Sequence, residues 1–133
     1  MTADDPHPLV TAYLDALGRS DLDAMLALFA DGAIVHSPLY GELPATEFYP
    51  GLFADTSAAT LTLLGTMRGA SVDGAELLSF WFHFDWRLPD GTAAPFEVID
   101  LAELDRDGRI RSIRIVYDTV DVRPAFEDAT GRR

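Results

Sequence analysis

Apolar residues recur at helical spacing through the first third of the chain and then switch to alternation. Leu9, Val10, Tyr13, Leu14 and Leu17 fall on one face of a helix, with Pro8 suited to its first turn and Gly18 to its C-terminal cap. Ser20 reads as the cap of a second helix with the apolar face Leu22, Met25, Leu26 and Phe29. Asp21 and Asp23 occupy its first turn, where the helix dipole favours acids. Asp31-Gly32 closes that helix, and Ala33 to Ser37 reads as a short strand ending at Pro38. Thr46-Glu47 opens a brief third helix through Phe48, which Pro50-Gly51 limits because proline removes a backbone donor.

From Ala58 onward the period is two. Leu61 and Leu63 alternate with Thr60, Thr62 and Leu64, and Ala75 to Leu88 forms a long second strand. Pro89-Asp90-Gly91 turns the chain into a third strand, Thr92 to Leu104, and Asp105-Arg106-Asp107-Gly108 into a fourth, Arg109 to Tyr117. Helices followed by a meander of long antiparallel strands predict an α+β domain with helices on one sheet face. Between Phe80 and Trp86 the pattern carries more. Phe80, Phe82, Phe84 and Trp86 face one way, while Trp81, His83 and Asp85 face the other. A strand apolar on both sides is covered on both sides. Helices cover one face; the other, also carrying Glu97, Ile99, Leu101, Arg114 and Val116, is expected to meet a second copy as a twofold homodimer.

Composition narrows the function classes. A chain of 133 residues, 48% hydrophobic, builds one core, so a single domain over residues 1–133 is expected. Ten basic against 22 acidic residues leave a net charge of −12, which repels nucleic-acid phosphates and anionic membranes. With no cysteine, disulfides, thiolate metal sites and cysteine nucleophiles are excluded. The acidic start Met1 to Pro6 lacks the basic and apolar regions of a signal peptide, and no apolar run nears the ~20 residues a bilayer span needs. A cytoplasmic location follows by default. The ends, Met1 to Pro6 and Arg123 to Arg133, are expected to fray. His36, His83 and the scattered carboxylates lack metal-ligand spacing, and Asp105 to Gly108 lacks the further ligands of a calcium loop, so no metal or cofactor is expected.

The order helix, helix, Asp31-Gly32-Ala33-Ile34-Val35-His36-Ser37-Pro38, short helix and four long strands resembles the NTF2-like superfamily, in its ketosteroid isomerase and SnoaL-like branch. That resemblance covers about Leu9 to Tyr117 and implies a sheet curled into a cone, closed by helices around one apolar pocket, with dimers through the outer sheet face. The steroid isomerases hold a dienolate oxygen with a tyrosine on the first helix and a protonated aspartate on a central strand. By resemblance, Tyr13 matches the tyrosine and Asp100, in Val98-Ile99-Asp100-Leu101, the protonated aspartate. The position of the isomerases' aspartate base, before a proline, is held by Ser37, and a neutral serine cannot shuttle a proton between carbons unaided.

Each candidate has a plainer reading beside the functional one. Asp100 is either a desolvated acid donating to a ligand oxygen, or a carboxylate satisfied by a hydroxyl such as that of Tyr13 or Tyr117. Tyr13 alone reads as a core ring with its hydroxyl near the rim. His36 has the pKa of a replacement base, but alternation puts it opposite Ser37, so only one of the two faces the pocket. His83 reads as an interface residue and His7 as a helix-start residue. Phe82, Phe84, Trp86, Phe96, Val98, Ile113 and Tyr117 are the expected pocket wall, with Tyr40 and Phe53 at its mouth beside Phe48, Tyr49 and Leu52. The expected function is binding of a small apolar, cyclic molecule, with cofactor-independent isomerase, cyclase or lyase chemistry through enolate stabilisation as its catalytic form. The alternative is a non-catalytic interaction or assembly module whose cone is filled by its own side chains. Cavity volume separates the two.

Overall fold

A computed structural model describes residues 7–132. His7 caps α1 (Pro8–Arg19), its Nδ1 accepting the Leu9 N–H at 3.0 Å. The C-cap is Ser20, in the left-handed region at φ 50°, and not Gly18 as the spacing predicts. Gly18 lies inside the helix instead. A Cβ there would stand 3.2 Å from Leu61 Cδ2, so the missing side chain lets α1 lie close to the sheet. The cap of α2 (Leu22–Leu26) is Asp21, whose carboxylate accepts the Ala24 N–H at 3.1 Å.

The second helix is shorter than its apolar spacing predicts, because Phe29 already belongs to β1 (Phe29–Ser37). Phe29 stands four residues after Met25, and it faces inward equally well from a strand. Asp31-Gly32 forms an irregularity inside β1: Gly32 has φ +76° and the pairing register shifts between Phe29 and Ile34. A short β2 (Gly41–Pro44) pairs back on β1, with His36 opposite Glu42. Helix α3 (Ala45–Ala54) continues past Pro50, which the sequence pattern places as its limit. The carbonyl that Pro50 leaves without a donor is that of Thr46, an exposed residue where water can serve.

The long strands are β3 (Ala58–Ala70), β4 (Glu76–Arg87), β5 (Phe96–Leu104) and β6 (Ile110–Val116). Strand β5 starts later than expected because Pro95 has no N–H to join the ladder. The Asp105–Gly108 segment is a hairpin turn held by Asp105 Oδ1, which accepts the Asp107 and Arg109 N–H groups. The six strands form one curved sheet in the order β2-β1-β6-β5-β4-β3. It is mixed and not purely antiparallel, since β1 lies parallel to β6.

The inner face carries Phe80, Phe82, Phe84 and Trp86 on β4, Val98, Asp100 and Ala102 on β5, and Ile113 on β6, all buried against the helices. The outer face carries Trp81, Ile99 and Val116, which are exposed, and the half-buried His83. The expected fraying from Arg123 is contradicted by α4 (Val122–Thr130), whose Val122 and Phe126, four residues apart, are buried. Phe126 stacks against Trp86 with ring centroids 5.9 Å apart and meets Tyr40 edge-on at 5.4 Å. The Met1 to Pro6 segment lies outside the described residues. Among the described residues no helix is long and apolar enough to cross a membrane.

Candidate functional site

Asp100 sits mid-strand on the concave face, paired across β4 with Phe80 and across β6 with Ile115. It is 1% exposed. Removing a carboxylate from water penalises its charged form, and this burial raises the Asp100 pKa to about 8 against the opposing effect of hydrogen bonding from the Tyr13 hydroxyl. At neutral pH the side chain is therefore an uncharged acid. Its Oδ1 is buried with no hydrogen-bond partner. A polar atom in that state costs about 1–3 kcal/mol unless a guest satisfies it.

Tyr13, on the inner face of α1, is 2% exposed and edge-on to Phe80 at 5.1 Å. Its hydroxyl bonds the Tyr49 hydroxyl of α3 at 2.8 Å, and either can be the donor. Burial holds both phenols well above their ordinary range. Tyr13 is thus not a rim residue; its hydroxyl interacts with the Asp100 carboxyl, while Asp100 Oδ1 itself is left without a hydrogen-bond partner. Tyr49 belongs to this group, and nothing in its sequence neighbourhood links it to a residue 36 positions earlier.

Tyr13, Ser37, Tyr40, Phe82, Phe84, Trp86, Phe96, Val98, Asp100 and Tyr117 line one cavity together with Leu17, Phe48, Leu52 and Ile115. Phe96 stacks on Tyr117 at 4.1 Å and contacts Phe84 at 5.2 Å, so these three rings form one contiguous part of the wall. Tyr40 donates its hydroxyl to Asp55 Oδ2 at 2.7 Å, and Asp55 in turn pairs with Arg132 just beyond α4. Of the residues absent from the expected wall, Leu17 stands one helical turn after Tyr13, and Phe48 and Leu52 share a face of α3. Those spacings are readable.

Three expected site residues stand elsewhere. His36 points away from the cavity and its Nδ1 lies 3.3 Å from Glu42 Oε2, because alternation gives the inner side to Ser37 and β2 supplies a partner on the other. Ile113 is fully buried between Val35 and Ala102, one inward position before Ile115, and packs in the closed core. Phe53 follows Leu52 around the helix by about 100° and rests its ring on Tyr49 at 6.1 Å instead of entering the cavity.

The space is small. Only about 30 Å³ admits the centre of a water-sized sphere, whereas about 420 Å³ is atom-free when the open mouth is counted. The first figure describes the room available to a guest without side-chain movement, about two waters. Among the described residues no three His, Asp or Glu side chains gather as a metal site would require.

Comparison with known proteins places this geometry. Residues 10–113 match the family model described as the SnoaL-like domain. An NTF2-like protein of unknown function from Exiguobacterium sp. 255-15 is 22% identical, with 83% of this chain and 98% of that chain covered at a TM-score of 0.66. An epoxide hydrolase/cyclase-like enzyme with a role in pyran ring formation in the polyether salinomycin is 17% identical, covering 85% and 90% at a TM-score of 0.68. TerC, co-crystallised with polyporic acid, is 16% identical, covering 90% and 95% at 0.69. At these identities the structural likeness establishes the fold, and the family match covers most of the sequence. The chain belongs to the SnoaL-like domain family, with the NTF2-like fold.

Proposed function

We propose that the chain binds a small apolar, cyclic molecule in its cone, the side chains at the open mouth moving aside to admit it, and holds an oxygen of that molecule against Asp100. The observation that carries this reading is the buried, unpartnered Oδ1 of Asp100 within a wall of aromatic rings. A carbonyl oxygen arriving there accepts a hydrogen bond from the carboxylic O–H. Where the guest can enolise, the same proton stabilises the developing oxyanion in a site already stripped of water. Tyr13 is the second donor, and a Tyr49-to-Tyr13 donation strengthens the hydroxyl that Tyr13 turns towards the guest. Such chemistry is that of a cofactor-independent isomerase, cyclase or lyase. A cyclase-like enzyme and a protein co-crystallised with polyporic acid stand among the structural relatives, in keeping with this class of guest.

A planar phenol titrated into the protein tests the reading, with protein fluorescence as the signal because Trp86 lines the cavity. Asp100→Asn and Tyr13→Phe are each expected to weaken binding by more than about tenfold, the worth of one good hydrogen bond in a dry site. Binding unchanged in both variants removes these residues from the site. The narrowness of the cavity favours a second reading, a self-filled module that acts by docking other proteins. No binding of any planar guest by the wild type selects that reading. In either case the apolar outer face, with Trp81, Ile99 and Val116, supports a homodimer.

A further inference from the structure

Phe126 of α4 lies outside the cavity, yet it stacks on Trp86 at 5.9 Å and meets Tyr40 edge-on at 5.4 Å, and both of those rings line the cavity. Tyr40 serves two spaces. It also lines an open groove with Leu39, Arg123, Phe126, Glu127 and Arg132. That groove has about 240 Å³ of water-accessible room, against about 30 Å³ in the cavity. Tyr40 is common to both linings, so its ring is the partition between them.

Side chains alone fasten α4. Among the described residues its backbone makes no hydrogen bond to another strand or helix: the Arg123 N–H goes to the Thr119 carbonyl and the Gly131 N–H to that of Glu127, both local. It buries two residues, Val122 and Phe126, against five on α1 and four on α3. An element with so few buried contacts opens before the rest of a fold does. At its start Arg123 donates to the Pro38 carbonyl at 2.6 Å, and beyond its end Arg132 pairs with Asp55. Asp55 also accepts from the Tyr40 hydroxyl, which couples the helix to the partition. Residues 118–121, mostly exposed, link α4 to β6. Most of the remaining wall is fixed harder, on strands inside the hydrogen-bonded sheet or on α1 and α3.

We infer that α4 is a strap that holds the cone narrow. It swings out on residues 118–121, Tyr40 leaves the wall with it, and cavity and groove become one chamber that takes the guest. This rests on the small-molecule reading above and names the element that makes room. The closed form excludes the guest, so apparent affinity scales with the fraction of molecules whose strap is open.

Thiol labelling tests it. The chain has no cysteine, so one introduced thiol reports alone. Val122→Cys puts it on the buried side of α4; Val35→Cys puts it in β1, between Leu43 and Ile113. The two valines are 1% and 0% exposed, so the same substitution is made in equal burial. Labelling by N-ethylmaleimide is expected to run at least about a hundredfold faster at Val122→Cys, because a local opening costs less than global unfolding. Its rate is expected to stay flat in low urea while that at Val35→Cys climbs, since swinging one helix exposes little surface. Adding Arg123→Ala with Arg132→Ala is expected to speed labelling at Val122→Cys about fivefold, the worth of two partly exposed contacts, and to tighten naphthol binding by the same factor. Equal labelling at the two thiols, or a naphthol affinity that does not follow the labelling rate in the double variant, overturns the inference and leaves the small-molecule reading standing. Naphthol that binds neither wild type nor the double variant overturns both.

Discussion

Asp100 ties stability to pH through one proton. Its folded pKa, about 8, lies above the usual carboxylate value of 3.8, so between those values the unfolded chain releases a proton that the folded chain keeps. Stability therefore falls as pH rises through that window and levels off above it, the reverse of a salt-bridged aspartate. Denaturant unfolding from pH 4 to 9 is expected to show Asp100→Asn gaining on wild type through the window, by on the order of a few kcal/mol at pH 7. Parallel profiles for the two proteins contradict this. Binding carries the same sign. A neutral carbonyl guest needs the acid form, so its affinity is expected to hold below about pH 8 and fall about tenfold per unit above it, read by titration at each pH. The carboxyl stands out in the sequence as an acid in an apolar strand with Phe96, Val98, Ile99 and Leu101, but whether it serves a ligand or is satisfied by a neighbouring hydroxyl is left open there. The identity of its surroundings is not legible. Tyr49 comes to Tyr13 from another helix, and the choice between His36 and Ser37 is decided by β2, four residues with no alternation to read.

Helix α4 shows how an element escapes pattern reading. Its large apolar side chains are two anchors, Val122 and Phe126, one turn apart, with Pro124 between them and the small Ala125 and Ala129 beside charged residues. Such a segment has little intrinsic claim to a helix, and packing decides the matter. Phe126 lies against Trp86 and Tyr40, two rings of the cavity wall, and Arg132 covers its outer face at 5.1 Å. Phe126→Ala is expected to cost about 3 kcal/mol in denaturant unfolding and to red-shift the Trp86 emission. Arg132→Ala, which removes the half-exposed partner of the largely buried Asp55 carboxylate, is expected to cost less than Phe126→Ala because the Tyr40 hydroxyl still donates to that carboxylate. A loss at Arg132 equal to that at Phe126 would mean that the ion pair, not the ring, fastens the helix. The long strands were readable for the opposite reason. Period two persists over many residues in β4, and both of its faces carry a message: a buried inner row, and an outer row with an exposed tryptophan.

At the scale of the molecule, element order reveals the α+β class, but it leaves the sheet's closure unstated. The parallel pairing of β1 with β6 joins segments more than seventy residues apart, Val35 with Ile113, and this contact brings Ser37 level with Asp100. No local pattern encodes it. The outer face poses the remaining question of assembly. Trp81, Ile99 and Val116 remain 41%, 40% and 59% exposed in one chain, and the proposed homodimer would cover the same patch on both copies through a twofold axis. Sedimentation is expected to report a dimer that Trp81→Glu dissociates without changing ligand affinity, since Trp81 stands on the convex side; a monomeric wild type removes the dimer. All of the function argued here returns to the charge state of one carboxyl in the cone. Carbon-detected NMR titration of the Asp100 carboxyl in the ligand-free protein tests it most directly. A midpoint near 8, with the acid form at neutral pH, is the predicted result, and a midpoint near the ordinary carboxylate value would contradict it.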